Sequence, residues 1–205
     1  MCGLLCACVT PKKTVQQADN CVFKSADYVL CKKNGTENLT DLAKRFYGNE
    51  KAVWRIEDAN QSRSQSDSSL IIVPLIEKNK GGLFENGYQK IPILCYHRFG
   101  ADHRSPLNTP PEVFRQQMKY LKDNGFRTIT PDELLDFLKF RKQIPKKAVM
   151  ITIDDGFKSA FDIAAPILLE FEFSATLFIY TDYIGVSKKA LTWDELRLLK
   201  LNGFY

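Results

Sequence analysis

The chain has 205 residues and a mass of 23.5 kDa, a length suited to one large domain or two small ones. Apolar residues make up 44% and charged residues 26%, which excludes a disordered, collagen-like or coiled-coil chain. Basic residues exceed acidic ones by 29 to 24 without clustering, with 13 against 10 in residues 1–90 and 16 against 14 beyond, so no nucleic-acid partner is expected.

No apolar run reaches the roughly 18 to 20 residues of a membrane-crossing helix. Met1 to Thr10 is uncharged and Pro11-Lys12-Lys13 follows, which reads as the tail of a secretory signal without its basic start. Leu5-Cys6-Ala7-Cys8 resembles a bacterial lipobox, and that resemblance implies lipidation of Cys8, a lipid anchor and an exported protein of the periplasm or cell envelope. A chance apolar N-terminus is the alternative. The six cysteines fall at 2, 6, 8, 21, 31 and 95, with no C-x-x-C pair, and both histidines lie downstream, which excludes a zinc ribbon or finger. Cys21 and Cys31 either pair after export or remain free thiols.

Residues 1–26 read as signal remnant and tether. Order begins at Asp27-Tyr28-Val29-Leu30-Cys31, a strand that Asn34-Gly35 ends. Leu39, Leu42, Ala43 and Phe46 recur at helical spacing behind Asn38, a candidate N-cap, and Gly48 closes that helix. Val53, Trp54 and Ile56 mark a second helix, and Leu70-Ile71-Ile72-Val73-Pro74 a second strand. This β-α-α-β unit, residues 27–75, resembles a LysM module, although a serine-rich stretch at 61–69 stands where such modules carry a glycine turn. The resemblance implies a shallow groove for N-acetylglucosamine-containing glycans formed by Gly35, Thr36, Glu37, Asn60 and Ile72. Leu39, Leu42, Phe46, Trp54 and Ile56 read as core.

Residues 76–90, with Gly81-Gly82 and Asn86-Gly87, are expected to be a linker. Beyond them the pattern changes. Ile91 to Tyr96 suits a strand buried on both faces. Thr109-Pro110-Pro111-Glu112 combines a cap, a proline and a glutamate at a helix start, and Thr130-Pro131-Asp132-Glu133 repeats it. Arg127-Thr128-Ile129 is a brief strand between those helices. Ala148 to Ile153 is the strongest strand, followed by a helix over 159–171 and a strand over 175–180. Thr192-Trp193-Asp194-Glu195 caps a last helix, closed by Asn202-Gly203. Alternating strands and helices predict an α/β fold on a parallel sheet, here a partial (β/α) barrel, since four strands are fewer than the eight of a closed one. On this count the second domain, residues 91–205, is expected to be cut short.

Thr152-Ile153-Asp154-Asp155-Gly156 stands at the carboxyl end of the strongest strand, where parallel folds gather catalytic groups. Two adjacent acids there are costly, because like charges raise each other's pKa. They cannot do one job unless the backbone turns between them, which Gly156 allows. A plain Asp-Asp-Gly turn is the alternative.

Together with Ile93-Leu94-Cys95-Tyr96-His97-Arg98-Phe99, Asp123-Asn124-Gly125-Phe126, Thr130-Pro131-Asp132-Glu133, Ala175-Thr176-Leu177-Phe178-Ile179 and Leu191-Thr192-Trp193, the motif resembles a polysaccharide deacetylase of the NodB-homology family, closest to the branch acting on poly-N-acetylglucosamine. Ile153 replaces the aromatic of the family's T-F-D-D-G. The resemblance implies Asp154 as general base, Asp155 as ligand to a divalent metal, zinc in most of the family, and His97 as the acid that protonates the leaving amine. His97 as a half-buried strand-end residue is the alternative reading, and His103 reads as solvated.

The family completes its metal site with an H-x-x-x-H pair that this chain lacks, and one carboxylate cannot hold a catalytic zinc, which takes three protein ligands. The 205-residue chain is therefore expected to be inactive and a longer parent to be the enzyme. The leading expectation is a metal-dependent N-deacetylase of N-acetylglucosamine-containing polysaccharide or peptidoglycan, held on the wall by the LysM-like unit. A wall-binding protein whose second half is only a scaffold is one alternative. A glycosidase with a carboxylate pair is the other.

Overall fold

The protein is described by a computed structural model covering residues 20–32, 37–61, 69–102 and 105–205. Cys8, Gly35, Thr36 and His103 lie outside the described residues. Two compact units divide after Ile76. Among the described residues no helix is long and apolar enough to cross a membrane.

The first unit is an antiparallel sheet of β1 (Cys21–Lys24), β2 (Tyr28–Lys32) and β3 (Leu70–Pro74), in that order, with helices α1 (Leu39–Tyr47) and α2 (Trp54–Asn60) joined by a 3-10 turn at Glu50–Val53. Asn38 caps α1 in a full capping box with Asp41, and Gly48 ends it in the left-handed region at φ 68°. Alternation along β2 and β3 buries Val29, Cys31, Ile71 and Val73 against Leu42, Ala43 and Ile56 of the helices. Leu39 and Phe46 pack at the margin of this core, while Trp54 is only half-buried and outside it. The expected tether is corrected in part: Cys21–Lys24 pairs with β2, and a disulfide joins Cys21 to Cys31 across that pair. Its polar neighbours hid an edge strand whose Val22 and Phe23 remain exposed.

The expected linker is also corrected. Residues 77–90 belong to the second unit, with a hairpin of β4 (Leu83–Phe84) and β5 (Gly87–Tyr88). Glu77 and Asn79 bond the backbone N–H and side chain of Gln143, and Gln89 donates to the Pro145 carbonyl. Gly82 sits at φ 60° so close to the Phe137 ring that an added Cβ would come within 2.6 Å of it.

The parallel sheet of this unit has the order β11 (Thr176–Ile179), β10 (Ala148–Asp155), β6 (Ile93–Tyr96), and β9 (Arg127–Thr128) pairs with the start of β10. Among the described strands it is open. β10 is buried on both faces for six residues. Val149, Ile151 and Ile153 face a core built with α3 (Pro111–Asp123), α5 (Ala165–Glu170) and α6 (Trp193–Leu201), including fully buried Phe114, Met118 and Leu168. Ala148 and Met150 face the other way, against Ile129, Ile144 and Phe137 of α4 (Pro131–Leu138). Each such large apolar side chain contributes about 1.5–3 kcal/mol by leaving water. Thr130 and Thr192 cap α4 and α6 in capping boxes, as expected. The start of α3 differs: Pro110 holds the cap position with no side-chain bond, because Thr109 is used in β8 (Asn108–Thr109), paired with β7 (Arg98–Phe99). The helix after β10 opens with a π turn at Ala160–Ala164.

Candidate active site

The register of β10 on β6 puts Thr152 beside Cys95 and Ile153 beside Tyr96. The next residues, Asp154 and His97, therefore meet at the carboxyl end of the two strands. Alternation places Cys95, His97, Thr152 and Asp154 on one face, past the point where Met150 ends the apolar packing of that face. Nε2 of His97 lies 4.0 Å from Oδ2 of Asp154, and the two side chains are 26% and 30% exposed, so both reach solvent. The Cys95 thiol donates to the same Oδ2 at 3.3 Å. Oδ1 of Asp154 is buried without a hydrogen-bond partner among the described residues, an arrangement that costs stability unless something else fills it.

Neighbouring packing fixes these groups. Tyr96 and Phe99 flank the His97 segment and lock into the core against Phe114, with ring centroids 4.9 and 4.7 Å from that ring. The Tyr96 hydroxyl donates to Gln117 Oε1, and burial pushes its pKa up to about 12. Phe99 N–H donates to Ser159 Oγ, which ties the His97 strand to the segment following the two acids. The Arg98 guanidinium lies over the Phe157 ring at 5.0 Å. The hydrogen bond with Thr152 pulls the Cys95 thiol down in pKa, but burial, the bond to Asp154 and the charges of Asp154 and Asp155 outweigh it and leave the thiol raised.

The backbone turn expected at Gly156 begins one residue earlier. Asp155 itself is in the left-handed region at φ 74°, followed by Gly156 at φ 79°. Non-glycine residues are held there at a cost, and such residues concentrate at functional sites. Leu191 N–H donates to the Gly156 carbonyl, and an added Cβ at Gly156 would come 3.0 Å from Ile184 Cδ1, so the turn is closely packed.

Among the described residues, the His, Cys, Asp and Glu donors that converge within 4.8 Å are Cys95, His97 and Asp154, and Asp155 is not one of them. Thiolate, imidazole and carboxylate together do form a donor set suited to a divalent transition metal. Cys95 is not among the site residues expected from the sequence. Its position two residues before His97 in a strand was the available signal.

In the first unit Glu37, Asn60 and Ile72, expected at the glycan groove, all have partners within the chain. The Asn60 side-chain amide donates to the carbonyls of Ile56 and Ile72 and accepts from the Ile72 N–H, so it joins α2 to β3. Those bonds use both of its donors and the backbone groups of Ile72. Glu37 pairs with Arg45 at 3.5 Å.

Comparison with known proteins gives a consistent direction. No protein-family model matches the chain. YxkH of Bacillus subtilis (strain 168), whose name carries the words polysaccharide deacetylase, is 35% identical over 114 residues, 56% of this chain and 40% of that protein. The poly-beta-1,6-N-acetyl-D-glucosamine N-deacetylase of Escherichia coli (strain K12) is 31% identical over 90 residues, 44% of this chain and 13% of its own. The solved deacetylase PplD of Streptococcus pyogenes, in complex with acetate, aligns with TM-score 0.52 and 29% identity over 56% of this chain and 53% of its own. The chain is similar to polysaccharide deacetylases. It spans between about an eighth and about a half of the length of these proteins. The mixed α/β fold with a parallel sheet is common to this chain and the solved deacetylase.

Proposed function

We propose that the protein is a polysaccharide N-deacetylase that removes acetyl groups from N-acetylglucosamine-containing polysaccharide, releasing acetate and a free amine. The observation that carries this reading is the facing pair of His97 Nε2 and Asp154 Oδ2, 4.0 Å apart on adjacent parallel strands in a solvent-reaching opening. Amide hydrolysis needs a base to take a proton from water and an acid to give one to the departing nitrogen. Asp154 Oδ2 takes the first proton. The imidazolium of His97, at Nε2, supplies the second, because an amine departs only when protonated. Tyr96 and Phe99, which flank His97 in sequence, anchor its segment in the core and so help position it. A divalent cation, zinc being the expected one, would polarise the acetyl carbonyl and make the attacking water more acidic. Similarity to proteins named for poly-N-acetylglucosamine deacetylation supports the substrate class.

The first unit is proposed to hold the protein on wall glycan in the manner of a LysM module, its β-α-α-β core between β2 and β3 supporting that reading. Export to the cell envelope is proposed too, supported by the Cys21–Cys31 disulfide, since such bonds persist in oxidising compartments. Lipidation at Cys8 remains the proposed anchor.

The test is acetate release from N-acetylglucosamine oligomers by the longer parent expected from the sequence and by its Asp154→Asn variant. Loss of about 10²–10⁴ in rate with the fold intact is expected. Release of reducing ends in place of acetate would point to a glycosidase, and unchanged deacetylation in the variant would remove Asp154 as the base.

A further inference from the structure

We infer that Cys95, His97 and Asp154 form a binding site for a thiophilic divalent cation, a site separate from the one expected at Asp155. Three observations meet here. The donor atoms Sγ, Nε2 or Nδ1, and a carboxylate oxygen all lie within 4.8 Å of one another. Tetrahedral coordination with the usual metal–sulfur, metal–nitrogen and metal–oxygen lengths spaces such donors about 3.3–3.7 Å apart. The separations of 3.3 Å from Cys95 to Asp154 and 4.0 Å from His97 to Asp154 bracket that spacing, so small side-chain rotations suffice. The second observation is the Asp154 carboxylate, whose Oδ1 is buried with no hydrogen-bond partner among the described residues. The third is positional: Cys95 and His97 alternate on one face of a strand end and Asp154 comes from the adjacent strand, so the backbone prearranges all three.

Binding is a proton-for-metal exchange. The thiol proton now lying between Cys95 Sγ and Asp154 Oδ2 leaves to solvent, and the cation bonds to sulfur and oxygen in its place. A thiolate, an imidazole and a carboxylate favour zinc, cobalt or cadmium over magnesium or calcium, whose ligands are all oxygen. The fourth position is left to solvent, as in open sites. Asp154 and His97 are also the groups assigned to proton transfer, so cation binding here and catalysis exclude each other. That consequence rests on the deacetylase reading. The binding does not.

The test is titration of the full chain with Co²⁺, followed by the near-ultraviolet thiolate-to-cobalt charge-transfer band. The expected result is a band in the wild type that is missing from Cys95→Ser, together with roughly tenfold or more weaker Co²⁺ binding in Asp154→Asn. Cys2, Cys6 and Cys8 are the same in the wild type and in Cys95→Ser, so the difference between the two spectra reports Cys95 alone. A second measurement uses the wild type only: alkylation of Cys95 by iodoacetamide, read by mass spectrometry, slows roughly tenfold or more in Zn²⁺. Identical wild-type and Cys95→Ser spectra, or alkylation of Cys95 at the same rate with and without Zn²⁺, would overturn the assignment. Neither readout needs enzyme activity, so a failed deacetylase assay leaves this result independent.

Discussion

His97, directly after β6, and Asp154 of the neighbouring strand β10 face one another with Nε2 4.0 Å from Oδ2. This relation separates positioning from stability. His97 is partly exposed and takes no part in the apolar core, so His97→Gln is expected to leave the thermal midpoint within the range of an ordinary surface change, about 0.5 kcal/mol. Acetate release by the longer parent expected from the sequence should fall by about 10²–10⁴. Parallel thermal melts and acetate assays check both halves, and full activity in the variant would remove His97 as the acid.

Gly156 is predicted to resist substitution for two separable reasons. At φ 79° any side chain is strained by about 1 kcal/mol, and a Cβ there also meets Ile184 Cδ1 at 3.0 Å. Gly125 has a similar φ of 73° but nothing within 4 Å of an added Cβ. Gly156→Ala should therefore lower stability by more than Gly125→Ala in denaturant titration. Equal losses would show that the contact with Ile184 relaxes freely.

Acid should weaken the second unit through Glu195. Burial pushes its carboxyl pKa up, but the Lys158 ammonium and the Thr192 backbone and side chain outweigh burial and hold it below the usual value of 4.5. A carboxyl lowered in the folded state contributes stability that is complete above its unfolded pKa and lost as pH falls through the folded one. The loss belongs to pH values below about 4.5. Glu195→Gln should flatten that part of the stability profile, measured by thermal melts from pH 6 downward. A profile as steep as the wild type would place the acid sensitivity elsewhere.

Asn60→Leu is predicted to loosen the first unit. The change removes two hydrogen bonds between α2 and β3 and one within α2, and leaves the Ile72 N–H without its side-chain acceptor. The cost expected for an unsatisfied buried donor is about 1–3 kcal/mol, seen as a lowered midpoint. Unchanged glycan retention in a variant that still folds would fit Asn60 as a clamp, and its loss without destabilisation would restore it to the groove.

Much of the fold was legible because several local signals agreed. The apolar runs of β6, β10 and β11, the capping boxes at Asn38, Thr130 and Thr192, and the left-handed Gly48 are short-range effects that a sequence carries within four or five residues. The elements that were missed depend on distant partners. Cys21–Lys24 is polar at its borders and becomes a strand only by pairing with β2, and residues 77–90 fold because Gln143, Pro145 and Phe137 receive them. The site divided in the same way. The Asp-Asp-Gly motif and His97 could be read from order along the chain, whereas the meeting of Cys95 with Asp154 is a matter of register between two strands 59 residues apart.

The Cys21–Cys31 bond has a mechanical meaning if the chain is tethered ahead of Cys21. Tension applied there and at the far end of β2 would peel an ordinary hairpin open, one rung after another, starting from the open end. The disulfide is the rung at that end. It would shunt the load straight into the central strand of the sheet, so residues 22–30 would stay slack while the core of the first unit takes up the strain.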